Sequence, residues 1–385
     1  MDYAGRLRAM QAKMRERDID LMFLPRAANL FYVSGIRRQL EHGTDHNAYG
    51  DWLCGGYIGQ EGPLQLVAPR MGGGFWVNEA ESKPWVAGPR LILEPIAPLA
   101  ALRETLAGFG LTAGKRRIAL DERAWSQMAM ALLDLLPEVE LVNANEIIAP
   151  MRAIKSDDEL AVMQRGSDLT DQVFENVLAR LKPGVSEYDV AHEIDYQFVT
   201  LGAEYTSFET GVFFVAEDMD GGGKTIRSGG KQLQHGDSIM FDFGGLIDGY
   251  ATDFGRSAFL GEPPAEYLRV HNTVVKAQAD AMAAMAAGQC TAAEANRIAR
   301  QIIADAGYDE GFTHRLGHGI GVTVHEPPFL DGVDETVLRE RMVFTVEPSI
   351  VYKGRFGNRI EDMVVVTSDG GKPMSKVERK LFVIE

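Results

Sequence analysis

Apolar and polar positions alternate differently in the two parts of the chain. A helical spacing of apolar residues opens the first part, at Leu7, Met10, Met14 and Ile19. Short apolar runs that favour strands follow at 21–25, 29–36, 53–59 and 64–70, and helical patterns return at 99–110 and 126–137. This order predicts an α/β domain over residues 1–150.

The second part, residues 151–385, begins with a pair of helices. Ser156 followed by Glu159 is the S-x-x-E capping box that marks a helix start. Helical patterns cover 156–180, 186–201, 264–287 and 291–306, and apolar strands follow the first pair at 208–215 and 238–243. Both helix pairs share a glycine, an acidic helix start and a closing glycine. We therefore predict a duplicated helix-helix-hairpin unit and an α+β fold for the whole chain.

Two predicted hairpins carry pairs of carboxylates. Asp242 and Asp253 are centred on residues 247 and 248, and Glu347 and Glu361 are centred on Gly354. We expect the members of each pair to face one another across an antiparallel ladder. Like charges in such positions repel, and apolar neighbours make their burial costly. The pattern predicts bound cations, and four carboxylates with one histidine need roughly two divalent ions for neutrality.

His318 is the candidate nitrogen ligand, because the glycines on both sides of it permit a close approach of the backbone. Oxygen ligands with a single nitrogen favour Mn²⁺, with Co²⁺, Fe²⁺ and Zn²⁺ as alternatives. The chain has neither an HExxH sequence nor a cysteine cluster, which disfavours a mononuclear zinc site. The alternative for any single acid is a solvated strand residue or a partner of Arg256 or Arg359.

Charge and composition narrow the classes of partner. The formal net charge of −16 argues against nucleic acid and anionic membranes. Cys54 and Cys290 are far apart and belong to no motif, which predicts a reducing cytoplasm. No apolar run approaches the ~20 residues of a membrane span, and the charged N-terminus does not resemble a signal peptide.

Four segments together resemble a known family: FDFGGLIDGYATDFGRS, HRLGHGIGVTVHEPP, FTVEPSI and GNRIEDMVVV. They are similar to the pita-bread metallopeptidases, which include creatinase, prolidase and aminopeptidase P. The resemblance is strong over about residues 150–385. The first domain is similar to the creatinase and prolidase N-terminal domain, with NLFYVSGI at the usual start of its second strand. The resemblance implies a prolidase-like fold and a homodimer, with the polar-aromatic segment 37–52 reaching towards the partner.

The resemblance also implies a role for each site residue. Two metal ions would be held by Asp242, Asp253, His318, Glu347 and Glu361. The implied reaction is hydrolysis of a small peptide-like C–N bond by a hydroxide that bridges the two ions, as in an Xaa-Pro dipeptidase. Glu347 would carry the proton to the leaving nitrogen, and His325 would contact the scissile carbonyl. His314 and Arg359 match positions near the substrate; they could instead be a strand residue facing the groove and a partner of the ligand carboxylates.

One departure from the family concerns a further histidine, which usually precedes the first aspartate motif. No histidine lies between His192 and His235, and the expected position falls near Lys224. Lys224 or Arg227 could bind a substrate carboxylate, or both could be solvated loop charges, which we favour slightly. A charged, glycine-rich segment suits a small charged substrate better than the apolar ring of a prolyl residue, so we expect weak or no cleavage of standard Xaa-Pro dipeptides. The second function that this leaves open is an amidohydrolase or lyase acting on a small polar metabolite. A non-enzymatic binding protein is a third, less favoured one.

Overall fold

The computed structural model describes residues 1–38, 50–93, 96–216 and 227–385, which form two compact units, Met1–Arg152 and Ala153–Glu385. Unit 1 is an α/β layer structure around one six-stranded sheet of order β4-β3-β2-β1-β5-β6. Its elements are α1 (Tyr3–Glu16), β1 (Leu21–Pro25), α2 (Ala28–Ser34), β2 (Gly55–Gly59), β3 (Leu64–Pro69), α3 (Gly73–Glu81), β4 (Val86–Ile92), α4 (Pro98–Gly108), β5 (Arg116–Leu120), α5 (Ser126–Leu135), β6 (Val139–Asn143) and α6 (Asn145–Ala153).

The segment 29–36 was predicted as a strand, and this prediction is wrong. Residues Ala28–Ser34 form α2, which ends at Gly35 with a left-handed φ of 71°. All seven residues of α2 are buried, so no polar face reveals a helical period in the sequence. Ile19, expected in the first helix, is buried just beyond its end at Glu16.

Unit 2 contains two helix pairs, each followed by strands. The first half holds α7 (Asp157–Leu178), α8 (Glu187–Thr200), β7 (Tyr205–Thr206), β8 (Gly211–Val215), β9 (Ser238–Phe243), β10 (Gly245–Ile247), β11 (Tyr250–Ala251) and β12 (Phe254–Leu260). The second half holds α9 (Ala265–Ala284), α10 (Ala292–Asp305), β13 (Gly317–Gly319), β14 (Glu326–Leu330), β15 (Val343–Val346), β16 (Ser349–Tyr352), β17 (Phe356–Arg359), β18 (Asp362–Thr367), β19 (Gly370–Pro373) and β20 (Phe382–Ile384).

Capping boxes begin three of these helices and show the duplication. Ser156 and Glu159 cap α7 as the sequence predicts. Ser186 caps α8 and Thr291 caps α10, and each of these two residues also forms an isolated antiparallel bridge with a later segment. The second helices of the two pairs are therefore anchored in the same way.

The strands of unit 2 build two main sheets, of order β20-β12-β9-β8 and β14-β13-β15-β18-β19. One apolar core packs α7 and α8 against the first sheet, and another packs α9 and α10 against the second. Gly255 of β12 bridges Glu361, next to β18, and so joins the two sheets. A Cβ at Gly255 would lie 2.9 Å from the carboxylate of Glu361, so this crossing requires glycine.

Within the described ranges, the chain has no helix long and apolar enough to cross a membrane. Cys54 and Cys290 are both free and buried.

Candidate metal centre

The five predicted ligands lie where the two sheets of unit 2 adjoin, and all five are buried. Asp242 is in β9, Asp253 lies between β11 and β12, His318 is in β13, Glu347 follows β15 and Glu361 precedes β18. Oxygen atoms of Asp242, Asp253 and Glu361 lie within 4.8 Å of one another. His318 Nε2 lies 3.3 Å from Glu347 Oε1 and 3.6 Å from Asp253 Oδ2. The structure thus brings together all five side chains.

The register of the second carboxylate hairpin agrees with its prediction. Ser349 pairs with Arg359, and Val346 pairs with Asp362, so both ladders are centred on Gly354. The same register places Glu347 opposite Glu361. Gly354 has a φ of 70°, a conformation that favours glycine at a turn.

The register predicted for the first hairpin is wrong by two residues. Asp242 pairs with Gly255, not with Asp253. The tip is Asp248–Gly249, where both residues have positive φ, a pattern typical of two-residue hairpin turns. Asp253 lies in an irregular step between two strands, and it reaches Asp242 through this bend.

The chemistry of the cluster fits divalent metal ions. Asp253 Oδ1 and Glu361 Oε2 are buried and make no hydrogen bond within the described residues. Burial, followed by the neighbouring carboxylates, raises the pKa of both groups well above the ordinary values. Such orphaned oxygens are costly unless a cation balances them. These residues therefore fit the metal ions that the sequence predicts.

The orientation of the His318 ring supports the same conclusion. Its Nδ1 lies 3.1 Å from the carbonyl oxygen of Gly319, which accepts the Nδ1 proton. Nε2 of the same ring then faces the carboxylates of Glu347 and Asp253. A cation between these groups satisfies all of them, and a backbone partner on the other nitrogen is the usual arrangement for a histidine ligand.

Two arginines contact Asp242 and change the charge balance. Arg359 forms a short ion pair with Asp242 Oδ2, and Arg227 Nη2 lies 2.7 Å from the same oxygen. Arg227 also stacks over Phe208, with 5.1 Å to the ring centroid. The favoured interpretation of Arg227 as a solvated loop charge is therefore wrong. Four carboxylates with two guanidiniums need only one divalent ion for neutrality, so charge alone does not require two ions. Lys224 lies outside the described residues.

A cavity of about 490 Å³ opens onto the centre. Its lining residues are Asp242, His314, Arg315, His318, His325, Asp331, Glu347 and Arg359. The ring of His325 meets that of His318 edge to face, with centroids 4.1 Å apart. Lost hydration of the ring, followed by the charges of His318 and Arg315, lowers the pKa of His325 to about 4. His325 is therefore neutral at physiological pH and can donate one N–H.

His314 lines the cavity, and one of its ring nitrogens makes no hydrogen bond among the described residues. Its Nδ1 lies 2.7 Å from the carbonyl oxygen of Arg315, while its Nε2 has no hydrogen-bond partner among the described residues. Burial, followed by the charge of Arg359, lowers the pKa of His314, so the ring is neutral. Because Nδ1 carries the proton, Nε2 is a hydrogen-bond acceptor for a group in the cavity.

Sequence reasoning missed three residues around the site. Arg315 and Asp331 line the cavity, although neither belongs to a ligand pattern. Lys155 forms a buried ion pair at 3.6 Å with Glu326, the residue that follows His325 in the sequence. A signal was available for Arg315 alone, since it is next to His314 in the segment that carries the histidine ligand.

The fold and the site define a two-unit hydrolase with a buried, carboxylate-rich metal centre. Residues 161–368 match the model of metallopeptidase family M24, and residues 6–154 match that of the creatinase/prolidase N-terminal domain. The chain belongs to metallopeptidase family M24 and is a metal-dependent hydrolase with the pita-bread fold. This confirms the family and the fold that the sequence predicts.

Similar proteins match between 63% and 100% of the chain. The Xaa-Pro dipeptidase of Pyrococcus furiosus is 28% identical over 98% of this chain and 99% of its own length. The Xaa-Pro dipeptidase of Pyrococcus horikoshii is 35% identical over 63% of this chain and 68% of its own length. The crystal structure of a prolidase from Thermococcus sibiricus has a TM-score of 0.87 at 27% identity, covering 100% of both chains.

Proposed function

We propose that this protein is an Xaa-Pro dipeptidase that depends on two divalent metal ions, with Mn²⁺ as the physiological metal. One observation carries the proposal: a cluster of buried acids, two of them with orphaned oxygens, lies at a cavity of dipeptide scale. The similarity to Xaa-Pro dipeptidases supports the choice of substrate. We assign the reaction to the domain of residues 151–385.

The metal ligands would be Asp242, Asp253, His318, Glu347 and Glu361. Ions held there supply Lewis-acid chemistry, lowering the pKa of water and polarising a carbonyl. Asp253 and Glu361 lie below the cavity lining, so the substrate does not meet them directly. Their burial keeps bulk water from screening the charges of the site.

Other side chains act on the substrate. His325, neutral and exposed towards the cavity, donates an N–H to the carbonyl oxygen as negative charge develops there. Glu347 faces the same cavity and passes a proton to the leaving nitrogen. Arg359 neutralises Asp242, and His314 Nε2 accepts a hydrogen bond from the substrate.

A dipeptide panel tests the proposal. Protein loaded with Mn²⁺ should cleave Xaa-Pro dipeptides with kcat/KM above ~10⁴ M⁻¹s⁻¹, the low end for enzymes on proper substrates. A chelator should abolish cleavage, and Mn²⁺ should restore it. Cleavage of small polar amides without cleavage of Xaa-Pro dipeptides would contradict the proposal. That result would favour the amidohydrolase alternative, which the absence of histidine between 193 and 234 motivates.

His325→Ala should lower kcat by roughly 100-fold or more, because it removes one donor to the developing oxyanion. Metal content should stay unchanged, since His325 is not among the proposed ligands. Steady-state kinetics and elemental analysis of the same preparation would check both statements. A variant with full kcat would exclude His325 from the mechanism.

We further propose a cytoplasmic homodimer. Two free, buried cysteines fit a reducing compartment. The segment expected to reach the partner, residues 37–52, lies outside the described residues for positions 39–49. Multi-angle light scattering at micromolar concentration should give twice the chain mass of 42.3 kDa. A single monomeric species would contradict the dimer.

A further inference from the structure

The position of His325 depends on its backbone and on one ring contact. It is the last residue of the bend 320–325, which joins β13 to β14 without regular structure. The ring packs edge to face on His318, and it makes no hydrogen bond to any residue that the structure describes. A donor to a developing oxyanion must be held to within about 0.5 Å of its working position. The groups that close this bend therefore decide where His325 lies.

Glu326, the next residue in the chain, closes the bend with its side chain. Its Oε1 accepts the backbone N–H of Thr323 at 3.0 Å. The hydroxyl of Thr323 in turn donates to the carbonyl oxygen of His325 at 3.1 Å. Thr323 is thus tied both to the backbone of His325 and to the side chain of the residue that follows it.

Lys155 fixes the other oxygen of the Glu326 carboxylate. Its Nζ lies 3.6 Å from Glu326 Oε2, and both side chains are only 2% exposed. The backbone of Lys155 is anchored to Arg341: its N–H donates to the Arg341 carbonyl oxygen at 3.0 Å, and its carbonyl oxygen accepts from Arg341 Nε at 2.7 Å. The ammonium therefore reaches Glu326 from a fixed point of unit 2.

Gly321 shows how closely the bend lies against this ion pair. A Cβ at Gly321 would be 2.9 Å from Glu326 Oε1 and 3.2 Å from Lys155 Cε. Both distances are shorter than ordinary van der Waals contact, so the approach of the backbone requires glycine. A buried ion pair is costly to desolvate, and apolar residues of similar volume are often as stable in its place. Stability alone gives little reason for this pair, whereas its hold on the bend does.

We propose that Lys155 and Glu326 are positioning residues, which hold the bend 320–325 so that His325 meets the scissile carbonyl. The inference rests on the proposed function, in which His325 donates to the developing oxyanion, and it adds the groups that place this donor. Without the ammonium, the Glu326 carboxylate loses its anchor, and the bend and His325 shift with it. Because His325 acts as charge develops, its misplacement should lower kcat and leave KM nearly unchanged.

A double-mutant cycle between Lys155→Met and His325→Ala tests the proposal on Mn²⁺-loaded protein. Lys155→Met should lower kcat on Ala-Pro roughly 10- to 100-fold, the scale of a misplacement of about 1 Å, with KM within about threefold of the wild type. In the His325→Ala background the same change should have no further effect, because the group through which Lys155 acts is gone. An equal loss of kcat in both backgrounds would overturn the proposal, since a merely structural role predicts that result.

Thr323→Val decides the question if Lys155→Met does not fold. This variant keeps the buried ion pair and removes the bond to the His325 carbonyl oxygen. It should lower kcat about 3- to 10-fold, the scale of one neutral hydrogen bond, and only where His325 is present. Full kcat in Thr323→Val, or an equal loss in the His325→Ala background, would then overturn the proposal.

Lys231→Met is the matched control. Lys231 pairs with the buried Asp237 at 2.6 Å and does not line the cavity. Both lysine variants leave a buried carboxylate without its cation, so both should have a lower thermal midpoint. Only Lys155→Met should lose kcat. The same loss of kcat in Lys231→Met would assign the effect to stability and overturn the proposal.

Failure of the proposed function is a distinct result. A metal-loaded wild type that cleaves no Xaa-Pro dipeptide would refute the dipeptidase, and NMR spectroscopy would then measure the position of His325 directly. The chain has eight histidines, so in Zn²⁺-loaded protein with isotope-labelled histidine rings, His325→Ala identifies the signals of His325. Lys155→Met should shift or broaden these signals, and Lys231→Met should not. Unchanged His325 signals in Lys155→Met would overturn the proposal.

Discussion

Glu361→Gln should abolish metal-dependent hydrolysis and yet stabilise the metal-free protein. Glu361 is 1% exposed, and its Oε2 accepts no hydrogen bond among the described residues, with Arg359 Nη1 at 3.9 Å as an ion-pair partner. Because Glu361 is a proposed ligand, its replacement should lower activity at least ~100-fold, the upper range for mutation of the outer contacts of a metal site. Without metal, the same change removes a buried carboxyl group whose ionisation is opposed by burial and by the neighbouring carboxylates. We expect a gain on the order of 1–3 kcal/mol in the free energy of unfolding of the metal-free protein.

The pH dependence of the stability of the metal-free protein gives a second measure of the cost of burying these carboxylates. Because the folded state raises the pKa of Glu361 and Asp253 above the ordinary values of 4.5 and 3.8, it binds protons more tightly than the unfolded chain does. Their protonation therefore stabilises the fold fully below about pH 4, and this contribution is lost as pH rises through the raised pKa values. The thermal midpoint of chelated wild type should fall across this window, and Glu361→Gln should reduce the fall.

Metal binding should reverse the order of stabilities. Added Mn²⁺ should raise the thermal midpoint of the wild type, because it increases the free energy of unfolding by about 2.7 kcal/mol at a hundredfold excess over Kd. The midpoint of Glu361→Gln should not change. Glu340→Gln, a change of an exposed glutamate outside the cavity lining, is the matched control and should behave like the wild type. A metal-free Glu361→Gln protein that is less stable than the wild type would contradict the expected excess of buried carboxylates in the metal-free site.

Arg256→Met should destabilise unit 2 by about 3–5 kcal/mol, the usual cost of breaking a buried ion pair. Arg256 is fully buried. Its guanidinium donates to Asp362 Oδ1 at 2.8 Å and to the carbonyl oxygens of Glu361 and Gly255 at 2.7 and 2.8 Å. Methionine leaves these acceptors buried and unsatisfied. Because Glu361 is a proposed ligand, metal affinity should also fall.

Hydrogen exchange is the appropriate measurement for Arg256→Met. All four tryptophans of the chain lie in residues 52–125, so their fluorescence reports on unit 1 only. Peptides that cover β12 and β18 should lose protection in the variant.

Arg165→Gln is the control, because it breaks an ion pair between two exposed side chains. Arg165 is 56% exposed and its partner Asp248 is 66% exposed, so the change should cost less than about 1 kcal/mol. Equal protection in Arg256→Met and wild type would refute the role of the buried pair.

The sequence itself determined the features that depend on local chemistry. Ser156 and Glu159 begin α7 because a capping box satisfies backbone groups at that position without help from the rest of the fold. Gly354 centres the second hairpin because its φ of 70° suits glycine, and the register then follows along both strands. Glu347 and Glu361 were predictable for a related reason, since two acids at symmetric positions among buried strand residues favour a bound cation.

Tertiary structure decided what depends on neighbours distant in the chain. Residues 28–34 form a helix that is buried on every side. Because such a helix has no polar face, the hydrophobicity of these residues alone could not distinguish a helix from a strand. Asp253 reaches Asp242 through a bend and not through strand pairing. Arg227 and Arg315 are both charged residues that no predicted ligand pattern includes. Arg227 neutralises Asp242, and Arg315 stacks on Phe329 with no ion pair to any residue that the structure describes, because only packing fixes the distance between a charge and its nearest counter-ion.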